Sequence, residues 1–313
     1  MKRRTLRLVL VLVGCLLPWA SARSARAQGF TPRSPAAPAQ GFVDNHGVSI
    51  HYEDGGSGPG LPVIFVHGLA GDLEMWRAQL DHLRPTRRAL ALDLRGHGLS
   101  GLPKDGDCSI PAMASDVLAV ADAAGIKRFV LVGHSMGGAV ILAVAQAAPA
   151  RVAGLLFADP AGDVSRLRKD RLDAMVAKMS GPAYFDFMKG WFGVNLENGK
   201  EATRALVMAD LEKTPPQVVR AAYLGLAAFK AAPALRSFKG PMLTVVLPAS
   251  DRPSSYQNLV PNLPAIKLAN LSHWLMMDDP EGFNAILDGF LRRTAPKGTL
   301  AGMSVGRLRG PSS

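Results

Sequence analysis

Cysteine is nearly absent: Cys15 and Cys108 are the only two in 313 residues. If residues 1–27 are removed, as argued below, Cys108 stands alone, and one thiol excludes an intramolecular disulfide. Stability must then come from a buried core, which 48% apolar residues can supply. Cys108 has no partner motif and reads as structural. Acids are missing from both ends. Residues 1–27 carry six basic groups and residues 291–313 carry five, with no Asp or Glu in either stretch. Those eleven account for the whole net charge of +11, so the body between them is near neutral. An electrostatic footprint for phosphate backbones is therefore lacking, and no nucleic-acid partner is expected. No H-E-x-x-H pattern occurs, and the seven histidines are scattered. The glycine-rich DLRGHGLSG (93–101) has neither a phosphate-loop lysine nor dinucleotide spacing, so Arg95, His97 and Ser100 read as loop structure. No metal or cofactor is expected.

What is present begins with an export pattern. A basic head precedes an apolar run from Leu8 to Ala20, and small residues lead to Ala25-Arg26-Ala27. This is the three-part layout of a secretory signal peptide over 1–27, cut after Ala27, and it points to a periplasmic or secreted protein. The run is too short for a permanent membrane helix. Leu12-Val13-Gly14-Cys15 offers an alternative, a lipid anchor on Cys15, which is the one route by which a membrane partner is expected. Residues 28–42, QGFTPRSPAAPAQGF, read as a linker. Residues 295–313 read as a disordered basic tail.

Between these ends, short apolar runs alternate with helical periods. Strands are expected around a turn at Asn45-His46-Gly47, then over 62–68, 88–96, 129–135, 152–160, 241–248 and 265–273. Helices are expected over 73–84, 110–124, 136–149 and 280–292, the last with Pro280 in its first turn. This alternation predicts an α/β fold, a mostly parallel sheet wrapped by helices, over residues 43–294. Residues 163–238 are helical throughout and predict a cap over the active edge of the sheet.

The chemistry centres on VLVGHSMGGAV (130–140). Ser135 stands at a strand-to-helix turn with glycines two before and two after it, which is the pattern of a nucleophile elbow. Such a turn exposes the hydroxyl on a strained backbone and brings strand and helix so close that side chains at 133 and 137 would clash. A serine hydroxyl needs a base near neutral pH. In the elbow arrangement the chain order is serine, acid, histidine, and His273 is the only histidine after Ser135. Asp251, after the strand 241–248, is the expected acid; Asp159, at the end of strand 152–160, is the alternative. Asp278 and Asp279 are expected to serve the N-terminus of the final helix. The amides of Leu69, in the turn HGLAG (67–71), and of Met136, at the start of the elbow helix, are the expected oxyanion donors, with His67 bracing the loop.

VIFVHGLAG, LDLRGHGLSG, VLVGHSMGG and SHWLMMDDPEGF occur in this order, and together they resemble the α/β-hydrolase family, in its serine-nucleophile esterase and lipase-like branch. The resemblance implies an eight-stranded, mostly parallel sheet with a helical cap, and hydrolysis through an acyl-enzyme. It implies Ser135, Asp251 and His273 as the triad, and Leu69 and Met136 as the oxyanion hole. The chain departs from the family pattern at Leu247-Pro248, where a glycine is usual, and in the short spacing from Asp251 to His273. The expected function is cleavage of carboxylic esters. Trp191, Phe192 and Trp274 are candidate contacts for an apolar acyl or aryl group of a small-molecule substrate. C–C bond hydrolysis, acyl transfer, perhydrolysis and non-catalytic ligand binding are the alternatives. Relatives with an aspartate nucleophile are disfavoured by serine at 135.

Overall fold

The computed structural model describes residues 38–294. The expected signal peptide, residues 28–37 of the expected linker and the expected tail lie outside the described residues. Strands β1 (Ala39–Asn45) and β2 (Val48–Gly55) form an antiparallel hairpin. His46 and Gly47 close it, both at positive φ (55° and 82°), the hand of two-residue turn that suits twisted strands. Ala39–Phe42 thus belong to a strand and not to a linker, because their backbones pair with His51–Asp54.

The chain then alternates as the apolar runs predict. β3 (Val63–Val66) leads through a 3₁₀ turn (Leu73–Trp76) to α1 (Arg77–Leu83). β4 (Ala89–Leu92), α2 (Ile110–Ala123), β5 (Phe129–His134), α3 (Met136–Ala147) and β6 (Val152–Ala158) follow. Ser109 caps α2 with its hydroxyl on the Ala112 N–H, and Pro111 fits the first turn, where no N–H is needed. Five helices then interrupt the alternation: α4 (Lys169–Ser180), α5 (Tyr184–Asn195), α6 (Glu201–Lys213), α7 (Pro216–Ala228) and α8 (Ala231–Ser237). The chain returns through β7 (Met242–Val246), α9 (Tyr256–Leu259), β8 (Ala265–Lys267), α10 (Leu275–Asp278) and α11 (Pro280–Thr294).

The eight strands form one sheet in the order β1-β2-β4-β3-β5-β6-β7-β8. β4 to β8 run parallel to β3, and only β1 and β2 bring antiparallel pairings. β3, β4, β5 and β6 are buried along their whole length, as strands covered by helices on both faces must be. Phe65, Phe129 and Phe157 lie among the most deeply buried side chains, each contributing roughly 1.5–3 kcal/mol on burial. β8 is shorter than the expected 265–273. It is the outer strand, and after it Asn270 turns the chain away at φ 61°. Arg95 does serve loop structure: its guanidinium is buried in a two-pronged bond with Asp116, 2.8 Å on each prong.

This topology locates the chemistry. After β3 the chain moves toward β4 on one side, whereas β5 lies on the other side of β3. The loops leaving the carboxyl ends of β3 and β5 therefore part and leave a crevice, the usual ligand site of such sheets. HGLAG and the elbow are those two loops.

Candidate active site

The backbone at Ser135 has φ 51° and ψ −116°, a conformation that costs a non-glycine residue about 1–3 kcal/mol. Tight packing imposes it. A Cβ on Gly133 would lie 2.5 Å from the Gly137 carbonyl oxygen, and one on Gly137 would lie 2.4 Å from that of Val66. Those obstacles are backbone atoms of β3 and α3, which cannot step aside. Gly137→Ala should therefore cost about 3 kcal/mol or more in urea unfolding. Gly138→Ala should cost clearly less, because its Cβ would meet side chains and no backbone, Pro160 at 3.1 Å and then Phe157 and Tyr256 at 3.5 and 3.6 Å.

Ser135 follows β5 and caps α3, so its side chain stands at a helix N-terminus. Its own N–H is taken by the Ala158 carbonyl (3.1 Å). Among the described residues, the amides of Leu69 and Met136 donate to no protein acceptor. The Leu69 amide is held from behind. His67 Nε2 accepts the Leu94 N–H (2.9 Å), so its proton sits on Nδ1 and is donated to the Gly68 carbonyl (2.8 Å). That carbonyl belongs to the same trans peptide as the Leu69 N–H, so fixing one aims the other the opposite way. Complete burial keeps the His67 imidazole below its ordinary pKa and hence neutral.

His273 is gripped at three points. Its ring Nδ1 lies 2.6 Å from Asp159 Oδ2. Its carbonyl accepts a bond from His134 Nε2 (3.0 Å), and its N–H donates to the Asn195 carbonyl at the end of α5 (2.9 Å). His134 immediately precedes Ser135, and its ring centroid lies 4.6 Å from that of His273. Burial, reinforced by His273, holds His134 well below its ordinary pKa, so it is a neutral donor through Nε2. Ser135 Oγ makes no hydrogen bond to a protein group among the described residues; in enzymes without substrate such bonds are often long. The buried Cys108 thiol, beside Arg95 and Asp107, takes no part. Burial pushes its pKa up to about 11, far from thiolate at neutral pH.

Asp159, not Asp251, is the carboxylate that meets His273. Asp159 is fully buried at the end of β6 and accepts three bonds: from His273, from Ser250 Oγ (2.9 Å) and from the Leu247 N–H (3.3 Å). Asp251 faces the outer edge of the sheet, where Lys267 of β8 (2.6 Å), Asn258 (2.7 Å) and Gln257 (3.0 Å) hold it. The Lys267 bond, then those two amides, brings its carboxyl down to about 2. The expectation that Asp251 orients His273 is corrected for that reason.

One further expectation changes. Asp279 alone of the acidic pair serves α11, accepting the Gly282 N–H (3.0 Å). Asp278 is buried and instead ties the Ser272 N–H (2.9 Å) to the Lys200 N–H (3.0 Å), joining the His273 loop to the cap. Phe192 and Trp274 are almost fully buried and pack on each other, centroids 5.6 Å apart, with Trp274 edge-on to His273. Trp191 stands edge-on to Phe192 and Tyr223. These aromatics form a wall from the cap to His273. Among the described residues no group of three His, Cys, Asp or Glu is placed to hold a metal ion.

The cap meets the Leu69 loop at an acidic pair. Asp210, on α6, has a buried Oδ2 with no hydrogen-bond partner among the described residues. Burial and then the neighbouring Asp72 carry its carboxyl up to about 7, while burial raises Asp72 as well. Lys213 Nζ offers only a 3.5 Å contact, and His67 and Asp93 are the other charged or titratable groups facing the pair. A carboxyl whose folded pKa is raised favours folding fully below about pH 4, and that contribution is lost as pH rises through about 7. Asp210→Asn should thus melt a few degrees above the wild type at pH 8, with little difference at pH 4.

Sequence reasoning gave no role in the site to His134, Asn195, Leu247, Ser250 or Asp210. Their roles run through backbone groups or long-range packing. Only the position of His134 beside the elbow serine was a usable signal.

Comparisons with known proteins bear on the fold. A family model described as alpha/beta hydrolase fold matches residues 62–229. A dihydrolipoyllysine-residue acetyltransferase component of an acetoin cleaving system from Cupriavidus necator is 39% identical over 127 residues, 41% of this chain and 33% of that protein. The chain thus spans about a third of the length of that curated relative. A non-heme chloroperoxidase from Streptomyces lividans is 29% identical over 79% of this chain and 97% of its own length. Among solved structures, a thermophilic esterase from Thermogutta terrifontis superposes with a TM-score of 0.72 at 25% identity, covering 83% of this chain and 100% of the esterase. Motifs, sheet order and family match converge: this chain belongs to the alpha/beta hydrolase fold family.

Proposed function

We propose that the protein is an exported serine hydrolase of carboxylic esters. Ser135 Oγ attacks the ester carbonyl as His273 Nε2 takes its proton. With the Nδ1 proton directed at Asp159, Nε2 presents its lone pair to the serine. The imidazolium that forms is countered by the Asp159 carboxylate. The Leu69 and Met136 amides receive the tetrahedral oxyanion, each worth about 3–4 kcal/mol to the transition state, with the positive end of α3 behind them. His273 returns the proton to the departing alcohol, which leaves an acyl group on Ser135. Water, activated by the same imidazole, then releases the acid and restores the serine.

The observation that carries this reading is the 2.6 Å His273–Asp159 pair lodged against an elbow whose serine is held at φ 51°. The esterase among the structural neighbours supports an ester substrate. The aromatic wall of Trp191, Phe192 and Trp274 supports an apolar acyl or aryl group on one side of it. Export rests on the basic head, apolar run and Ala25-Arg26-Ala27 of the N-terminus. A p-nitrophenyl ester panel from acetate to dodecanoate tests the chemistry, with a vinylogous diketone as the C–C control. Ester turnover without diketone cleavage is expected. Folded protein that cleaves the diketone and no ester would overturn the reading.

A further inference from the structure

We propose that Ser250 is a positioning residue of this site, its hydroxyl setting the angle and strength of the bond by which Asp159 holds His273. The proposal rests on the reading of Ser135, His273 and Asp159 as a triad. Ser250 Oγ lies 2.9 Å from Asp159 Oδ2, the same oxygen that meets His273 Nδ1 at 2.6 Å. Among the described residues the other oxygen, Oδ1, accepts only the Leu247 N–H, at 3.3 Å. Asp159 is fully buried and, among the described residues, pairs with no lysine or arginine, so these donors are the ones that satisfy it there.

The loop is built to aim that hydroxyl. The Ser250 N–H is held by the Leu247 carbonyl (3.0 Å), and the Ser250 carbonyl accepts a bond from Ser255 Oγ. Ser255 and Arg252 are braced reciprocally, each N–H donating to the other residue at 2.9 Å. Residue 251 is thereby turned out to Lys267, and residue 250 turned in to Asp159. The chain presents a neutral donor inward and keeps its second carboxylate away from the imidazole, so one negative charge faces His273 and not two.

A hydroxyl on Oδ2 draws off part of the charge that would otherwise pull on the imidazolium, and it pins the carboxylate as that imidazolium forms. Without it the imidazolium is favoured and the acid limb of the kcat/KM profile moves to higher pH. The carboxylate also loses its fixed angle, and kcat falls. The charged and titratable neighbours keep their partners in such a variant: His134 from the elbow, Asp278 from α10, Asp163 from the loop after β6, and the Asp251–Lys267 pair.

The test compares Ser250→Ala, Ser250→Thr, Asp251→Asn and Asp159→Asn on a p-nitrophenyl ester across pH, with folding checked by thermal melting. Ser250→Ala should lower kcat about tenfold, the scale of one lost hydrogen bond to a charged group, leave KM within about twofold, and shift the acid limb upward. Ser250→Thr, which keeps the hydroxyl, should restore both, and Asp251→Asn should move neither. A wild-type kcat and acid limb in Ser250→Ala, with Asp159→Asn crippled, would overturn the role of Ser250 alone. Wild-type activity in Asp159→Asn would overturn the triad reading and this proposal together.

Discussion

Asp159→Asn lowers kcat/KM for an ester by about 10⁴-fold, whereas Asp251→Asn leaves it within about twofold. The difference follows from what surrounds each carboxylate. All three bonds into Asp159 come from donors, namely His273 Nδ1, Ser250 Oγ and the Leu247 N–H. An asparagine amide must turn its NH₂ toward one side of that set. Facing His273, it forces the imidazole proton onto Nε2, where it blocks proton uptake from Ser135. Facing Leu247, it sets two donors against each other in a buried place. In both orientations the imidazolium loses its counter-charge. Asp251 has none of this at stake, since its partners are Lys267 and two amides at the outer edge. Steady-state kinetics on the two purified variants read the contrast directly.

Ser135→Ala lowers kcat by about 10⁶-fold, because without the nucleophile the base and the oxyanion donors have no covalent step to assist. The backbone adds a second, opposite expectation. Alanine keeps the Cβ and so keeps the strain of φ 51°. Glycine does not, and Ser135→Gly should be inactive yet more stable than the alanine variant by about 1 kcal/mol in urea unfolding. A serine that merely filled a glycine-rich turn would give the stability gain without the loss of activity.

Much of this was legible in the sequence, where the signal was local. Gly133 and Gly137 announced a close backbone approach, and the structure places the obstructing carbonyls at 2.5 and 2.4 Å. The central strands were legible because burial on both faces demands unbroken apolar runs. The carboxylate was not. Asp159 and Asp251 both follow strands, and no local pattern says which one reaches a loop more than twenty residues further on. What decides is the β7–β8 register, which pairs Val246 with Lys267 and sets that lysine beside Asp251. The backbone of Asp159 itself, at φ 39°, leaves no trace in residue identity. The aromatics were legible only as residue types for a related reason. Trp274 and Phe192 look alike in sequence whether they meet a substrate or each other, and only packing across the cap boundary separates the cases. Asp278 resembled a helix cap, yet its partners, Ser272 and Lys200, come from the His273 loop and the cap.

The central claim is that Ser135 is a nucleophile activated by His273. A fluorophosphonate probe tests it most directly, with the labelled site located by mass spectrometry of the digested protein. The account predicts one adduct, on the peptide that carries Ser135, formed in the wild type and lost in His273→Ala. Folded wild-type protein that hydrolyses esters but carries no adduct on Ser135 would contradict it.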